Sequence, residues 1–261
     1  MSELVIVKIE NTVATLTLNR PQAFNAFDLP MVERFAAVLV ALAADRGVKA
    51  VVLSGAGPAF CAGGDLKWAL SFPDGPEAAF HALAARFHLA VTEIRRMRKP
   101  VIAAVNGIAA GGGFSLALAC DFRIMAESAV LRQAYTSSGL SIDGGGTFTL
   151  PRIVGLARAL EIAAFDQPIP ASLALSWGLA TRVAADGAVL REAVALANDL
   201  AARSVHSFGA SKQLLTDAFE TAFETHIERE RRALSDCVAH ADGGEGLRAF
   251  AEKRKPRFTD A

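Results

Sequence analysis

The sequence has few of the residues that mark secreted, metal-binding or nucleic-acid-binding proteins. It contains three cysteines, at positions 61, 120 and 237, and no C-x-x-C pair. This pattern argues against a disulfide framework or a zinc site and favours a reducing compartment. Lysine plus arginine and aspartate plus glutamate each number 27, so the basic excess typical of nucleic-acid-binding proteins is missing. Tyrosine occurs only once, at position 135, and this position proves informative.

Long hydrophobic runs are also missing. The longest apolar stretches have about a dozen residues, too few to span a bilayer. The first five residues carry no basic segment before an apolar run, so we expect no signal peptide and a cytoplasmic protein. Apolar residues nevertheless make up 52 % of the chain, which excludes wholesale disorder. A chain of 261 residues forms one large domain or two small ones.

Hydrophobic periodicity indicates an α/β fold whose last third is helical. Short apolar runs that alternate with helical patterns are typical of a mainly parallel sheet covered by helices. The predicted strands are 5–9 and 13–18, which form a hairpin, followed by 50–53, 101–105 and 122–125. The predicted helices are 29–44, 77–97, 114–120, 158–165, 188–202, 211–219 and 221–238.

The glycines are unevenly distributed. Eight of the 21 lie between Gly107 and Gly146, and three of them are consecutive, at 111–113, after a predicted buried strand. Such clusters indicate a backbone that turns sharply or approaches a ligand closely. Neither the dinucleotide-binding fingerprint nor the phosphate-binding loop motif fits. A helix that begins at these glycines would direct its free N–H groups at a ligand and favour negative charge.

Several motifs together resemble the crotonase superfamily, the enoyl-CoA hydratases and isomerases. They are R-P at 20–21 with N-A-F at 25–27, A-F-C-A-G-G-D-L at 59–66, the run from K-P-V-I to G-G-G at 99–113, C-D at 120–121, G-G-T at 145–147, L-P-R at 150–152 and W-G-L at 177–179. The resemblance covers nearly the whole chain. It implies a spiral of β-β-α units over 1–200 and a helical C-terminal region over 201–261 that forms a homotrimer or a dimer of trimers.

The resemblance also implies an acyl-CoA thioester substrate, with no cofactor beyond the CoA of that substrate, no metal and neither nucleic acid nor membrane as partner. Two backbone N–H groups, those of Ala62 and Gly112, would bind the thioester oxygen, on which negative charge develops during the reaction. A plain tight turn is the alternative interpretation of both. Further substrate-binding candidates are Ala23, Phe24, Ala26, Gly63, Gly64, Asp65, Leu66, His88 and Tyr135.

The sequence departs from the hydratases of this superfamily at both catalytic glutamates. The first glutamate lies two residues after the glycine triplet, where this chain has Ser115. The second lies two residues after the equivalent of Gln133, where this chain has its single tyrosine, Tyr135. Neither side chain can act as a carboxylate base, so the usual addition of water by paired carboxylates is in doubt.

One acid remains in the corresponding segment, Asp143, directly before the glycines at 144–146. Some relatives, among them isomerases and 4-chlorobenzoyl-CoA dehalogenase, carry an aspartate there. The alternative interpretation of Asp143 is a helix N-cap. His88 lies twelve residues before Pro100, a spacing that resembles the dehalogenase's base, although it could also be an ordinary helix histidine.

These residues predict double-bond isomerisation of an acyl-CoA thioester, in which Asp143 removes a proton and returns it to a different carbon. Three alternatives stay open. The chain could be a hydratase with Asp143 as its water-activating group, or a hydrolase or dehalogenase in which Asp143 is the nucleophile and His88 activates water. It could also be a non-catalytic acyl-CoA binder.

Overall fold

A computed structural model describes residues 3–259 of the chain. Residues 1, 2, 260 and 261 lie outside the described residues, and the expectation about a signal peptide rests partly on them. The ten strands of the described part are β1 Val5–Glu10, β2 Val13–Leu18, β3 Ala50–Gly55, β4 Ala59–Cys61, β5 Val101–Val105, β6 Ile108–Ala110, β7 Phe122–Ala126, β8 Val130–Arg132, β9 Ile169–Pro170 and β10 Arg182–Ala184.

The strands form two sheets. The larger sheet has the order β1-β2-β3-β5-β7-β10, and the smaller has the order β4-β6-β8-β9. All neighbours are parallel except the β1–β2 hairpin and the β8–β9 pair. The pairs β3–β4, β5–β6 and β7–β8 each place their first strand in the larger sheet and their second in the smaller one. A helix follows each pair, so the expected α/β spiral of β-β-α units is confirmed.

Eleven helices lie within residues 3–259. They are α1 Leu29–Ala44, α2 Leu66–Leu70, α3 Gly75–Arg96, α4 Gly112–Ala119, α5 Gly146–Val154, α6 Leu156–Phe165, α7 Ala171–Ser176, α8 Val189–Ala201, α9 Val205–Asp217, α10 Phe223–Ala239 and α11 Ala241–Ala251. The predicted limits of α1 are correct because Asp28 caps its first turn by accepting from the Met31 N–H at 3.0 Å.

The core lies between the larger sheet and its helices. α8 packs across β2, β3, β5 and β7, and α1 packs on α3. Phe27 packs against both α1 and α3, since its ring centroid lies 5.6 Å from that of Phe35 in α1 and 5.5 Å from that of Phe87 in α3. α4 is buried at every residue, and its N-terminal end is therefore fixed by packing on all sides.

The smaller sheet brings three loops together. Because β4, β6 and β8 are parallel neighbours, their carboxyl ends lie at one edge of the sheet. Residues 62–65 follow β4, Gly111 and Gly112 follow β6, and residues 133–145 follow β8. Ligand sites of parallel sheets form at this edge. The fold therefore collects the distant motifs of the sequence in one place.

Several sequence predictions need correction. The smaller sheet was not predicted, and α4 begins at Gly112 rather than at residue 114. α9 begins at Val205 rather than at 211, because Ser204 accepts from the Ser207 N–H at 3.3 Å and caps it. α5 was not identified as a separate helix. The division at residue 200 stays a prediction.

No helix within residues 3–259 is long and apolar enough to cross a membrane. The predicted cytoplasmic location stays a prediction.

Candidate active site

A cavity of about 570 Å³ opens where the three loops meet, and we name it the acyl pocket. Its walls are mostly apolar, and four aromatic rings dominate them. The residues that line it are Phe27, Gly64, Pro76, Glu77, Phe80, Leu83, Ala84, Phe87, Gly112, Tyr135, Leu140, Ser141, Ile142 and Asp143. An apolar pocket with a few convergent polar groups is the usual form of a small-molecule site.

The backbone N–H groups of Gly64 and Gly112 are available at this pocket. Phe27 donates its N–H to the Gly63 carbonyl at 2.7 Å and accepts from the Asp65 N–H at 2.9 Å. Phe27 thus pairs with the segment 63–65 as in a parallel sheet. In this pairing the N–H of Gly64, which lies between Gly63 and Asp65, points away from Phe27. Gly112 is the first residue of α4, where an N–H has no partner within the helix.

The structure corrects the expectation about Ala62. Its N–H donates to the carbonyl of Phe24 at 3.0 Å and is therefore already engaged. Gly64, two residues further, lines the acyl pocket instead: a hypothetical Cβ on Gly64 would lie 3.1 Å from the Phe80 ring. Gly63 packs on α4, because a Cβ there would lie 2.8 Å from the Gly112 nitrogen. Gly64 thus replaces Ala62 as the partner of Gly112.

Asp143 does not cap a helix. α5 begins at Gly146, its N-cap residue is Gly145, and no side chain caps it. The Asp143 carboxylate instead lies in the wall of the acyl pocket and is hydrogen-bonded to His88, with 2.7 Å between Oδ1 and Nε2. The structure therefore brings together two residues that the sequence separates by 55 positions. His88 itself is a wall residue of another cavity and not of the acyl pocket.

Ser115 fixes the loop that carries Asp143. Its side chain is buried, and its Oγ donates to the backbone carbonyl of Asp143 at 2.6 Å. The loop packs closely on α4 there, because a Cβ on Gly146 would lie 2.7 Å from the Ser115 Oγ. At the position of the first hydratase glutamate, this chain therefore has a small residue that holds the loop.

Tyr135 lines the acyl pocket at the position of the second hydratase glutamate. Burial raises the pKa of its hydroxyl to about 12, although a hydrogen bond with the Ser115 side chain lowers this pKa to a smaller extent. Because this pKa lies far above neutrality, Tyr135 keeps its proton and is a hydrogen-bond donor rather than a base.

Asp65 has a structural role that the sequence did not indicate. Its Oδ1 accepts from the Lys67 and Trp68 N–H groups, each at 3.1 Å, and so caps α2. Its Oδ2 lies 3.0 Å from the Arg20 guanidinium, which also pairs with Asp28 at 3.2 Å. Both carboxylate oxygens are therefore engaged within the protein. The expectation that Asp65 also binds substrate stays a prediction.

The remaining candidates, Ala23, Phe24, Ala26 and Leu66, do not line the acyl pocket. Ala23 ends a short 3₁₀ turn, Phe24 follows it with a positive φ and a half-exposed ring, and Ala26 is buried. Leu66 opens α2 and is half exposed. Their predicted contacts with CoA stay predictions.

Sequence reasoning missed two features of this region. Glu77, in the first turn of α3, lines the acyl pocket with an exposed carboxylate. Asn25 is fully buried and donates to the Ala56 and Ala59 carbonyls at 2.9 and 2.8 Å, which anchors the segment around Phe24. The one sequence signal that could have indicated a buried, hydrogen-bonded Asn25 is its position between two apolar residues, Phe24 and Ala26.

Cys61, immediately before this loop, is buried, and burial raises the pKa of its thiol to about 12. A thiol with this pKa is a packing group and not a nucleophile. Within residues 3–259, no three histidine, cysteine, aspartate or glutamate side chains are grouped so that they could hold a metal ion.

The sequence profile of the family described as enoyl-CoA hydratase/isomerase matches residues 8–261. The chain is 37 % identical over 260 residues to 1,2-epoxyphenylacetyl-CoA isomerase of Escherichia coli, with 99 % of each chain covered. It is 32 % identical to 4-chlorobenzoyl coenzyme A dehalogenase-2 of an Arthrobacter species, with 95 % of this chain and 91 % of the relative covered.

The crystal structure of an enoyl-CoA hydratase from Polaromonas superposes with a TM-score of 0.93 at 34 % identity and covers 98 % of this chain and 99 % of its own. The fold and the pocket define an enzyme of CoA thioesters. The chain belongs to the enoyl-CoA hydratase/isomerase family.

Proposed function

We propose that this protein isomerises a carbon–carbon double bond in the acyl group of a CoA thioester. The observation that carries the proposal is the placement of Asp143, the pocket carboxylate that lies on the loop beside α4, in an apolar pocket that also contains the amides of Gly64 and Gly112. This arrangement supplies a base and an oxyanion site and does not supply the two glutamates that position water.

In the proposed mechanism, the thioester oxygen accepts hydrogen bonds from the Gly64 and Gly112 N–H groups. Asp143 removes a proton from the acyl chain, and the electron pair moves onto that oxygen as a dienolate. The same carboxyl group then returns the proton to a different carbon. The amides stabilise the developing charge, and loss of one such donor typically costs ~10²–10³-fold in rate. The α4 dipole adds to the effect at Gly112.

The pocket walls support an unsaturated acyl group that is bulky or contains a ring. Phe27, Phe80, Phe87 and Tyr135 all contribute to the walls, and aromatic side chains bind flat, conjugated groups by stacking and edge contacts. The relative named 1,2-epoxyphenylacetyl-CoA isomerase is in line with this preference. The proposed reaction moves a proton within the substrate and needs no cofactor beyond the CoA of that substrate.

The proposal is tested with 3-enoyl-CoA thioesters, including an aryl-substituted one, by following formation of the conjugated product. We expect Asp143→Asn to lower kcat at least 10³-fold, because the amide cannot accept the proton. Glu77→Gln removes the other carboxylate of the pocket and is the matched control, for which we expect less than a threefold change. Isomerase activity that persists in Asp143→Asn contradicts the proposal.

The Asp143–His88 hydrogen bond of 2.7 Å favours a second candidate function. Asp143 would attack an aryl-CoA ring and displace a substituent, and His88 would then activate water to hydrolyse the resulting ester. The similarity to a 4-chlorobenzoyl coenzyme A dehalogenase points in the same direction. Mass spectrometry of enzyme quenched during turnover of 4-chlorobenzoyl-CoA separates the two functions, because only this one forms a covalent ester on Asp143.

We also propose that the chain acts as a homotrimer or a dimer of trimers. The C-terminal helices expose large apolar side chains, among them Phe219, Phe223 and Leu234, each with about two thirds of its surface accessible. Apolar surface of this kind marks protein interfaces in soluble proteins.

A further inference from the structure

Two cavities meet at the hydrogen bond between Asp143 and His88. The first is the acyl pocket. The second has a volume of about 340 Å³ and lies between α3 and the start of α5, with Thr92, Arg95 and Thr149 among its polar wall residues. We name it the rear cavity.

The paired residues divide between the two cavities. Asp143 belongs to the wall of the acyl pocket and not to that of the rear cavity, whereas His88 belongs to the wall of the rear cavity and not to that of the acyl pocket. Their 2.7 Å contact is a polar link between the two walls. Among residues 3–259, no other hydrogen bond to the Asp143 carboxylate is present.

The His88 side chain is more exposed than that of Asp143, at 53 % against 40 %. A bound acyl group must lie against Asp143 to react with it, and it then covers the pocket side of this carboxylate. The His88 side remains open through the rear cavity.

We propose that His88 is a relay residue through which the proton held by Asp143 exchanges with water in the rear cavity. This inference rests on the proposed isomerase function. It assigns a role to a residue that does not line the acyl pocket, and it gives the abstracted proton two fates. The proton either returns directly to the substrate, or it is replaced by a solvent proton before the return.

The proposed exchange is balanced in protons and uses no other reactant. The acyl C–H bond breaks, its electron pair stays with the dienolate, and an O–H bond forms on Asp143. Before the abstraction, His88 donates its Nε2–H to the Asp143 carboxylate; after it, water of the rear cavity shifts the ring hydrogen of His88 to Nδ1, which leaves a lone pair on Nε2. The O–H bond on Asp143 then breaks as its proton forms an N–H bond with Nε2, and an imidazolium–carboxylate pair results. The imidazolium exchanges its N–H hydrogens with water of the rear cavity, and a solvent proton then passes back to Asp143 and on to the product carbon.

The experiment measures deuterium incorporation during isomerisation of trans-3-hexenoyl-CoA and 4-phenyl-3-butenoyl-CoA in ²H₂O. We expect the wild-type product to carry solvent deuterium. His88→Gln keeps a hydrogen-bond donor for Asp143 but cannot take up the proton. We therefore expect at least a tenfold lower deuterium content per product molecule, a ratio that is measured per turnover and so does not depend on how fast the variant isomerises its substrate.

Two further variants separate the relay from a structural role. Thr149→Leu narrows the rear cavity without replacing either member of the pair, and we expect it to lower the deuterium content as well. His81→Gln replaces an exposed histidine two turns earlier in α3 that lines neither cavity. We expect the deuterium content of its product to equal that of the wild type.

The outcomes separate the relay from the proposed function. A product with no deuterium from the wild-type enzyme, or equal deuterium from wild type and His88→Gln, overturns the relay and leaves the isomerase function standing. A wild-type enzyme that converts neither thioester overturns both.

Discussion

At the scale of single residues, the position of Asp143 depends on the glycine that follows it. Gly144 has a φ of +63°, and a Cβ there would lie 2.3 Å from Cε1 of Phe87. Such an approach is closer than real side chains tolerate, and a left-handed φ adds strain for any residue other than glycine. The loop that presents Asp143 can therefore keep its shape only with glycine at this position.

We expect Gly144→Ala to lower kcat at least tenfold, because the loop must shift and carries Asp143 with it. Gly187→Ala is the matched control: its φ is +78°, with no atom within 4 Å of a hypothetical Cβ. The control should lose about 1–2 kcal/mol of stability from backbone strain alone and keep its kcat. Urea denaturation and steady-state assays of both variants check this, and equal kcat values for the two would contradict it.

Ser115 provides a second residue-scale prediction. We expect Ser115→Glu not to create a hydratase. The longer side chain would displace the contact of the Ser115 Oγ with the Asp143 carbonyl at 2.6 Å, and it would bury a carboxylate without a partner, since Ser115 is fully buried. We expect a loss of more than about 2 kcal/mol of unfolding free energy, compared with about 1 kcal/mol for Ser115→Ala.

Chemical denaturation measures the stability of both Ser115 variants, and the absorbance of crotonyl-CoA follows water addition. A stable Ser115→Glu enzyme that hydrates crotonyl-CoA would show that the loop has room for the glutamate.

The sequence predicted that residues carried by a motif lie close together, and it could not predict features that backbone geometry decides; the catalytic roles of these residues stay predictions. Asp143 and Gly112 lie in the acyl pocket as expected. The choice between Ala62 and Gly64 depends on backbone hydrogen bonds, because the Ala62 N–H donates to the Phe24 carbonyl and the bridge to Phe27 leaves the Gly64 N–H available, and no residue type reveals this. The contact between His88 and Asp143 depends on packing of α3 against a loop 55 residues away.

At the scale of secondary-structure elements, the start of α2 is joined to the segment before α1. Asp65 caps α2, and Arg20 links it to Asp28, the cap of α1. The side chains of Arg20 and Asp65 are each 15 % exposed, so the pair is shielded from water and stronger than a surface ion pair. Because Gly64 directly precedes Asp65, these contacts of Asp65 also fix the position of Gly64 at the acyl pocket.

We expect Asp65→Ala to lower the unfolding free energy by about 2 kcal/mol, because it removes a helix cap and a largely buried partner of Arg20. Asp65→Asn keeps the capping oxygen and should lose about half as much. Since Asp65 has no free oxygen for substrate, we expect KM for a CoA thioester to stay within twofold in Asp65→Asn. A large increase in KM at unchanged stability would instead assign Asp65 to substrate binding.

Long elements were predictable and short ones were not. The strand 101–105 and helix 29–44 have the lengths at which burial periodicity is visible, and the structure confirms both. β4, β6 and β8 have three residues each and β9 has two, which is too short for an alternating pattern. The loops of the site follow these short strands, so the sheet that assembles the pocket was the part of the fold missed.

At the scale of the whole molecule, α10 has an unpaired apolar face. None of its residues is buried, and Phe223, Ile227, Leu234 and Val238 repeat at the spacing of one helix face. A helix of this kind is stable when its apolar face packs against another surface.

We therefore expect light scattering coupled to size-exclusion chromatography to give the mass of three or six chains. The double variant Phe223→Asp/Leu234→Asp should shift the mass toward a single chain, because it places charges in the apolar face. Thr225→Asp places a charge on the opposite side of the same helix and should leave the assembly unchanged. A wild-type protein that elutes as one chain would contradict the proposed assembly.

The hydrogen bond from Ser115 to the backbone of Asp143 has an evolutionary consequence. Substitutions at residue 115 and in the loop 143–146 are expected to be epistatic. A longer side chain at 115 is tolerated only if the loop moves, and a loop that has moved loses the Ser115 hydrogen bond that orients Asp143. A change of the acid–base group in this pocket therefore requires joint replacement of residue 115 and the loop 143–146, because neither segment accepts the change alone.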